Sequence, residues 1–145
     1  MNKRKLLYLN LSTNEKDVSL GFSNSWLSKF ADEFESVDLI SLNKSSNNQT
    51  EFKNVNIFGI AESEKLSKID KYLKLKNLVK DLTRMNDYAI CFSHMSPLLS
   101  IIANWYNTNK KTISILWYTH PMPKELIKKI ILYISLFFNN QIVTA

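Results

Sequence analysis

The sequence has few of the residues on which several common kinds of site depend. Only two glycines, Gly21 and Gly59, occur in 145 residues, so neither a GxGxxG dinucleotide fingerprint nor a Walker phosphate loop can form. The single cysteine, Cys91, excludes an intrachain disulfide framework, and the two histidines lie too far apart for zinc-ligand spacing. The sequence therefore predicts no metal site and no cofactor.

Long hydrophobic runs are also missing. The most apolar segment, residues 130–138, is about half as long as a membrane-spanning helix, and residues 6–11 are too few for the core of a signal peptide. These features predict a cytoplasmic protein. The formal net charge of +6 favours an anionic partner, which could be a membrane surface, nucleic acid or a phosphorylated ligand.

Strand and helix signals alternate along the chain. Apolar runs predict six strands, at residues 5–11, 37–41, 55–60, 88–92, 112–117 and 141–145. Helical spacing of apolar residues predicts four helices. The first is capped by Ser23 or Asn24, the second spans residues 62–85, the third includes residues 98–105, and the fourth runs from Pro123 to residue 138. This order predicts one α/β domain over residues 1–145, with a doubly wound parallel sheet of order 3-2-1-4-5-6 covered on both faces.

The helix predicted at 62–85 has two contrasting sides. Its apolar stripe, expected to face the core, consists of Leu66, Ile69, Leu73, Val79, Leu82 and Met85. Its lysines, on the opposite side, are Lys65, Lys68, Lys71, Lys74 and Lys80. We interpret the lysines as a solvated helix face. Because no basic strand carries interleaved aromatic residues for base stacking, a nucleic-acid partner is not expected.

Both histidines follow predicted strands. His94 comes after the strand at 88–92, and His120 follows the strand at 112–117. The carboxyl edge of an open parallel sheet is where ligands bind, so both are candidate site residues. Structural alternatives remain open for each candidate: His94 could hold a turn, Gly21 could be a turn residue with positive φ, and Tyr118 could simply pack.

Four segments, in order, resemble the N-terminal half of a family 4 glycosyltransferase, which has the two-domain GT-B fold. They are Leu20-Gly21-Phe22 with Trp26-Leu27 behind it, residues 92–97, residues 116–120 and residues 141–145. The resemblance implies a retaining enzyme of cell-envelope polysaccharide synthesis, which transfers a sugar from a nucleotide-sugar donor to a glycan or lipid-linked acceptor. It further implies a chain truncated after Ala145, without its C-terminal nucleotide-sugar domain and inactive alone.

The resemblance also implies roles for single residues. His120 matches the catalytic histidine beside the transferred sugar, and His94 matches a histidine nearer the rim of the cleft. The residues implied to bind the acceptor are Gly21, His94, Tyr118 and Thr119. Leu20 and Gly21 match the loop that approaches the donor phosphate, where relatives often carry two adjacent glycines.

A basic and apolar segment near the C-terminus predicts peripheral attachment to the inner face of a membrane. Lys124, Lys128 and Lys129 flank the apolar residues 126–138, a combination suited to an anionic leaflet. The alternative is that this apolar face packs on the sheet. Two other interpretations of the whole chain stay open: a half that docks on a separate catalytic subunit, and a non-catalytic α/β binding module.

Overall fold

A computed structural model describes residues 4–13, 25–44, 51–61 and 65–144. The strands in this part of the chain are β1 (Lys5–Ser12), β2 (Ser36–Lys44), β3 (Val55–Ala61), β4 (Tyr88–His94), β5 (Ile113–Trp117) and β6 (Gln141–Val143). The helices are α1 (Ser25–Glu33), α2 (Lys68–Met85), α3 (Pro97–Tyr106) and α4 (Leu126–Phe138).

All neighbouring strands pair in parallel, in the order β3-β2-β1-β4-β5-β6. The predicted α/β class, Rossmann-like fold and strand order are therefore confirmed. The chain starts in the middle of the sheet, builds outward to β3, crosses back over α2 to β4 and then continues to β6. This reversal between β1 and β4 creates a switch point, where ligands of open α/β sheets commonly bind.

The central strand β1 is buried on both faces, as its continuous apolar run predicts. On one face Leu7 and Leu9 belong to a core cluster with residues of α2 and α3. On the other face Leu6 and Tyr8 pack with the aromatic side of α1. Alternate side chains of one strand thus anchor helices on opposite sides of the sheet.

Two helices begin later than the sequence predicts. Residues 65–67 are not helical, and α2 begins at Lys68, because the Ser67 side chain accepts the Asp70 backbone N–H at 3.2 Å and caps the helix there. Helix α4 begins at Leu126, three positions after Pro123. The predicted caps of α1, Ser23 and Asn24, lie outside the described residues.

The predicted core stripe of α2 is only partly correct. The helix buries Leu75, Val79, Leu82 and Thr83, whereas Leu66, Ile69, Leu73 and Met85 are exposed. Leu66 precedes the helix. Ile69 and Leu73 lie about 120° and 160° around the axis from buried Leu75, at 100° per residue, so they point away from the centre of the buried side.

The two faces of the sheet are covered unequally within the described residues. Helices α2, α3 and α4 pack side by side, whereas α1 is the described helix that packs with Leu6 and Tyr8 on the other face. Beside α1 an apolar groove of about 480 Å³ runs over β4, β5 and β6, with Phe30, Phe92 and Trp117 in its walls. The predicted cover on both faces is therefore incomplete in this part of the chain.

Candidate functional site

A cavity of about 370 Å³ lies at the carboxyl edge of the sheet. The end of β1, the loops after β4 and β5, and the first turns of α2, α3 and α4 form its walls. Its polar side chains include Tyr118, His120, Lys128 and Ser96. The structure thus brings together Tyr118, predicted to bind the acceptor, and His120, predicted to be catalytic, with one lysine that was predicted to face a membrane.

The loop after β5 positions the two predicted residues. The Tyr118 backbone N–H donates to the carbonyl of Val143 at 2.9 Å, so pairing with β6 continues past the strand end. His120 is exposed, and its ring meets the Tyr118 ring edge to face, with centroids 6.1 Å apart. This arrangement leaves the imidazole accessible from the cavity while its neighbour is held by the sheet.

Met95, which directly follows the neighbouring strand β4, supports the loop after β5. It is buried and has a φ of 55°, which a side chain other than glycine adopts only at a cost of about 1–3 kcal/mol. Its backbone N–H donates to the Trp117 carbonyl at 2.8 Å, and its sulfur accepts the Thr119 N–H at 3.4 Å and hydroxyl at 3.5 Å. Thr119, predicted to bind the acceptor, therefore faces Met95.

Lys128 supplies positive charge to the cavity wall. Its Nζ donates to Glu125 Oε1 at 2.8 Å, and both side chains are well exposed. This hydrogen bond raises the pKa of Lys128 and lowers the pKa of Glu125, so the pair is ionised at neutral pH. A phosphate or other anionic group in the cavity would be complementary to the lysine.

His94 is buried, with 1% of its surface exposed, rather than lying near the rim. Strand β4 extends through His94, which pairs in register with Trp117, so the residue ends a strand and does not enter the loop. Its ring meets Trp26 edge to face, with centroids 5.1 Å apart. Burial, with a smaller effect of the His120 charge, lowers the pKa of His94 to about 4.

Asn10 is the polar partner of His94, and sequence reasoning missed it. The Asn10 side-chain nitrogen donates to the Ser12 carbonyl at 2.7 Å, which turns the amide oxygen toward His94 Nδ1, 3.2 Å away. Because an amide oxygen only accepts, His94 donates through Nδ1, and its lowered pKa leaves the ring neutral at pH 7. The available signal was a polar residue inside the apolar run at 5–11, since a buried polar group requires a partner.

The other predicted site residues fall elsewhere. Leu20 and Gly21 lie outside the described residues. Lys124 is exposed and Lys129 is half-buried, both near the first turn of α4. Among the residues that the structure describes, no group of three or more His, Cys, Asp or Glu side chains could hold a metal ion. The same residues include no helix with the length and apolarity needed to cross a bilayer.

The chain matches no protein-family model, and comparisons with curated proteins and with solved structures also found no match. The resemblance to family 4 glycosyltransferases rests on residues of this chain alone. The geometry at the carboxyl edge of the sheet is therefore the basis for a functional proposal.

Proposed function

We propose that this chain is the acceptor-binding half of a retaining, nucleotide-sugar-dependent glycosyltransferase of family 4. The observation that carries the proposal is the convergence of Tyr118, His120 and Lys128 on one cavity at the carboxyl edge of a parallel sheet. This edge is where open α/β sheets bind ligands. The acceptor is a glycan or a lipid-linked sugar.

The chemistry of glycosyl transfer suits these side chains. The His120 imidazole can hydrogen-bond an acceptor hydroxyl or an oxygen of the transferred sugar. Tyr118 adds a ring edge and a hydroxyl beside it. Lys128 can neutralise phosphate charge, either of a lipid-linked acceptor or of the departing nucleotide, and such electrostatic stabilisation does not require a protein nucleophile.

In this proposal a second Rossmann-like domain binds most of the nucleotide sugar. The 145 residues alone then bind acceptor weakly and catalyse no turnover. The coding sequence downstream of Ala145 should encode that domain, with the glutamate pair that the resemblance implies. Detectable hydrolysis of UDP-glucose by the 145-residue chain would contradict this division of labour.

Ligand titration followed by NMR tests the site directly. We expect inorganic pyrophosphate and methyl α-glucoside to shift amide signals around Tyr118, His120 and Lys128. Lys128→Ala should weaken pyrophosphate binding about tenfold, as loss of one charge-assisted hydrogen bond predicts. The matched control is Lys53→Ala, which removes an exposed lysine just before β3, at the opposite edge of the sheet, and should leave the affinity unchanged.

Two results would overturn the site assignment. One is the absence of saturable shifts with either probe. The other is equal weakening of pyrophosphate binding by Lys128→Ala and Lys53→Ala, because the attraction would then reflect the net charge of the chain rather than a cavity.

A second candidate function is that of a subunit that docks on a separate catalytic half. The apolar groove beside α1 favours it. Phe30, Phe92 and Trp117 line a wide surface that the described residues leave open, and a partner protein could bury it. A stop codon directly after Ala145, next to a gene for the missing half, would support the separate subunit. A continuous reading frame would support a single two-domain enzyme.

A further inference from the structure

Helix α4 is apolar on its outer side as well as on its inner side. It buries Leu132 and Ser135 on the side toward the rest of the protein, and it packs against α3 and β5. A second set of large apolar side chains is exposed. This set, the α4 apolar stripe, consists of Leu126, Ile127, Ile130, Tyr133, Ile134, Phe137 and Phe138.

The spacing makes the stripe one continuous surface. Its members recur three and four positions apart, so they cover an arc of about 140° along the helix at 100° per residue. Ile127 is 72% exposed and Phe137 is 86% exposed. Single exposed apolar residues are ordinary on protein surfaces, whereas a contiguous patch of this kind marks an interaction site.

The length of the helix determines how it can meet a membrane. Thirteen residues extend about 20 Å, at about 1.5 Å per residue, which is too short to cross a bilayer. A helix with one continuous apolar side instead lies along the membrane surface, with that side buried at the boundary between headgroups and acyl chains.

Charge selects the partner for this surface. Lys124, Lys128 and Lys129 surround the first turn of α4, where Glu125 is the acidic neighbour. The whole chain carries +6, so a second copy brought onto the stripe would add like charge. Lys129 lies about 40° beyond one edge of the stripe, at 100° per residue, and Lys124 lies just before the helix. An anionic lipid surface attracts these two lysines while it accepts the apolar side chains.

The neighbouring helix adds an aromatic residue on its outward side. Trp105 of α3 is exposed, whereas Leu99 and Ala103 of the same helix are buried. Lys110 and Lys111, both exposed, follow shortly after it. Tryptophan and tyrosine favour the interface between membrane and water, so Trp105 and Tyr133 fit the same environment as the stripe.

We infer that the α4 apolar stripe docks on an anionic lipid bilayer, with α4 parallel to the membrane plane and with Lys124 and Lys129 among the headgroup phosphates. Lys128 also lines the cavity that contains Tyr118 and His120. This side of α4 lies away from the stripe, so a lipid-linked acceptor would reach the cavity past the N-terminal end of the docked helix. This last consequence depends on the proposed function, but the membrane contact itself does not.

Vesicle sedimentation of the 145-residue chain tests the inference. The vesicles consist of phosphatidylcholine alone or of phosphatidylcholine mixed with phosphatidylglycerol. We expect clear binding to the mixed vesicles and weak binding to the neutral ones. Combining Ile127→Ser with Phe137→Ser should reduce the apparent affinity about tenfold for each side chain removed from the apolar phase.

The chain provides matched controls for both kinds of contact. Ile69, on α2, is also 72% exposed, so Ile69→Ser should leave vesicle binding unchanged. Lys124→Glu with Lys129→Glu should weaken binding to anionic vesicles at least about fivefold per lysine. The same reversal at Lys65 and Lys68, which are exposed before and at the start of α2, should have a much smaller effect.

Four results would overturn the inference. Three concern vesicles: no binding to anionic vesicles, equal binding to neutral and anionic vesicles, or equal effects of the α4 and α2 substitutions on binding. The fourth is a dimer in solution that Ile127→Ser dissociates, together with no vesicle binding. Far-UV circular dichroism checks that each variant is folded, and Phe137→Ser alone replaces the double variant if that one unfolds. Because no sugar chemistry is measured, a negative result here leaves the cavity proposal intact.

Discussion

The buried His94 should make the protein sensitive to mild acid. Its neutral ring lies between Trp26 and the Asn10 amide oxygen, and burial lowers its pKa from 6.5 to about 4. In the unfolded chain the same ring is solvated and binds a proton at a higher pH. Protons therefore favour the unfolded chain in the interval between these two pKa values.

The direction and size of the effect follow from these two values. Stability is unaffected by this residue above pH 6.5 and falls progressively as the pH drops toward about 4. At about 1.4 kcal/mol per pKa unit, the full loss below both pKa values is about 3.5 kcal/mol. For a domain of ordinary stability, about 5–15 kcal/mol, this is a substantial fraction.

Urea unfolding at several pH values between neutral and pH 4 measures this loss. Carboxylates also titrate in this range, so the informative quantity is the difference between the wild type and His94→Gln, which retains polarity but cannot bind the proton. We expect the acid-induced loss to be smaller in His94→Gln by about 2–3 kcal/mol. His120→Gln is the matched control. It removes the exposed histidine, so its unfolding free energy should still fall in acid by nearly as much as that of the wild type.

The reasoning would be refuted in either of two ways. Parallel stability curves for the wild type and His94→Gln would show that the buried ring contributes no proton linkage. An NMR titration in which the His94 imidazole protonates near 6.5 would show that the ring is solvated.

Three further predictions concern single side chains. His120→Ala should change the free energy of unfolding by less than about 1 kcal/mol, yet reduce turnover about a hundredfold in an enzyme that includes its donor half; near-normal turnover would contradict its catalytic role. Tyr88→Phe removes a hydroxyl that donates to buried Asp38 at 2.6 Å, so urea unfolding should show a loss of about 2 kcal/mol, and an unchanged midpoint would count against it. Gly59→Ala should cost at least about 3 kcal/mol, because Gly59 has a φ of 147° and a Cβ there would overlap the Ser41 carbonyl oxygen; a thermal melt like that of the wild type would disprove this.

The strands and their order were predictable because two simple rules govern them. Strands buried on both faces read as continuous apolar runs, and right-handed crossovers restrict the order in which such strands can assemble. The helix faces were harder to predict. In α2 the apolar residues follow two different rows, and only long-range packing determines that Leu75 and Val79, rather than Ile69 and Leu73, face the sheet.

The position of the site was more predictable than its composition. His120 was placed at the carboxyl edge because it follows a strand, and the structure puts it in a cavity there. The cavity also includes Lys128, which comes from the next helix and was expected at a membrane surface. No local pattern indicates that contact, because it depends on how α4 packs against α3. The rim position of His94 was implied by the resemblance, whereas β4 continues two residues past the predicted 88–92 and ends with a buried His94.

The buried pair of Asn10 and His94 connects the stability of the sheet to the geometry of the cavity. A polar group in the centre of a sheet is costly unless it is hydrogen-bonded, and the contact between Asn10 and His94 contributes to satisfying both. His94 is followed directly by Met95, whose strained backbone is held by Trp117 and whose sulfur holds Thr119. Protonation of His94 would disturb the contacts that Met95 makes with Trp117 and Thr119. We therefore expect mild acid to alter the position of the loop that contains His120 before the sheet itself unfolds.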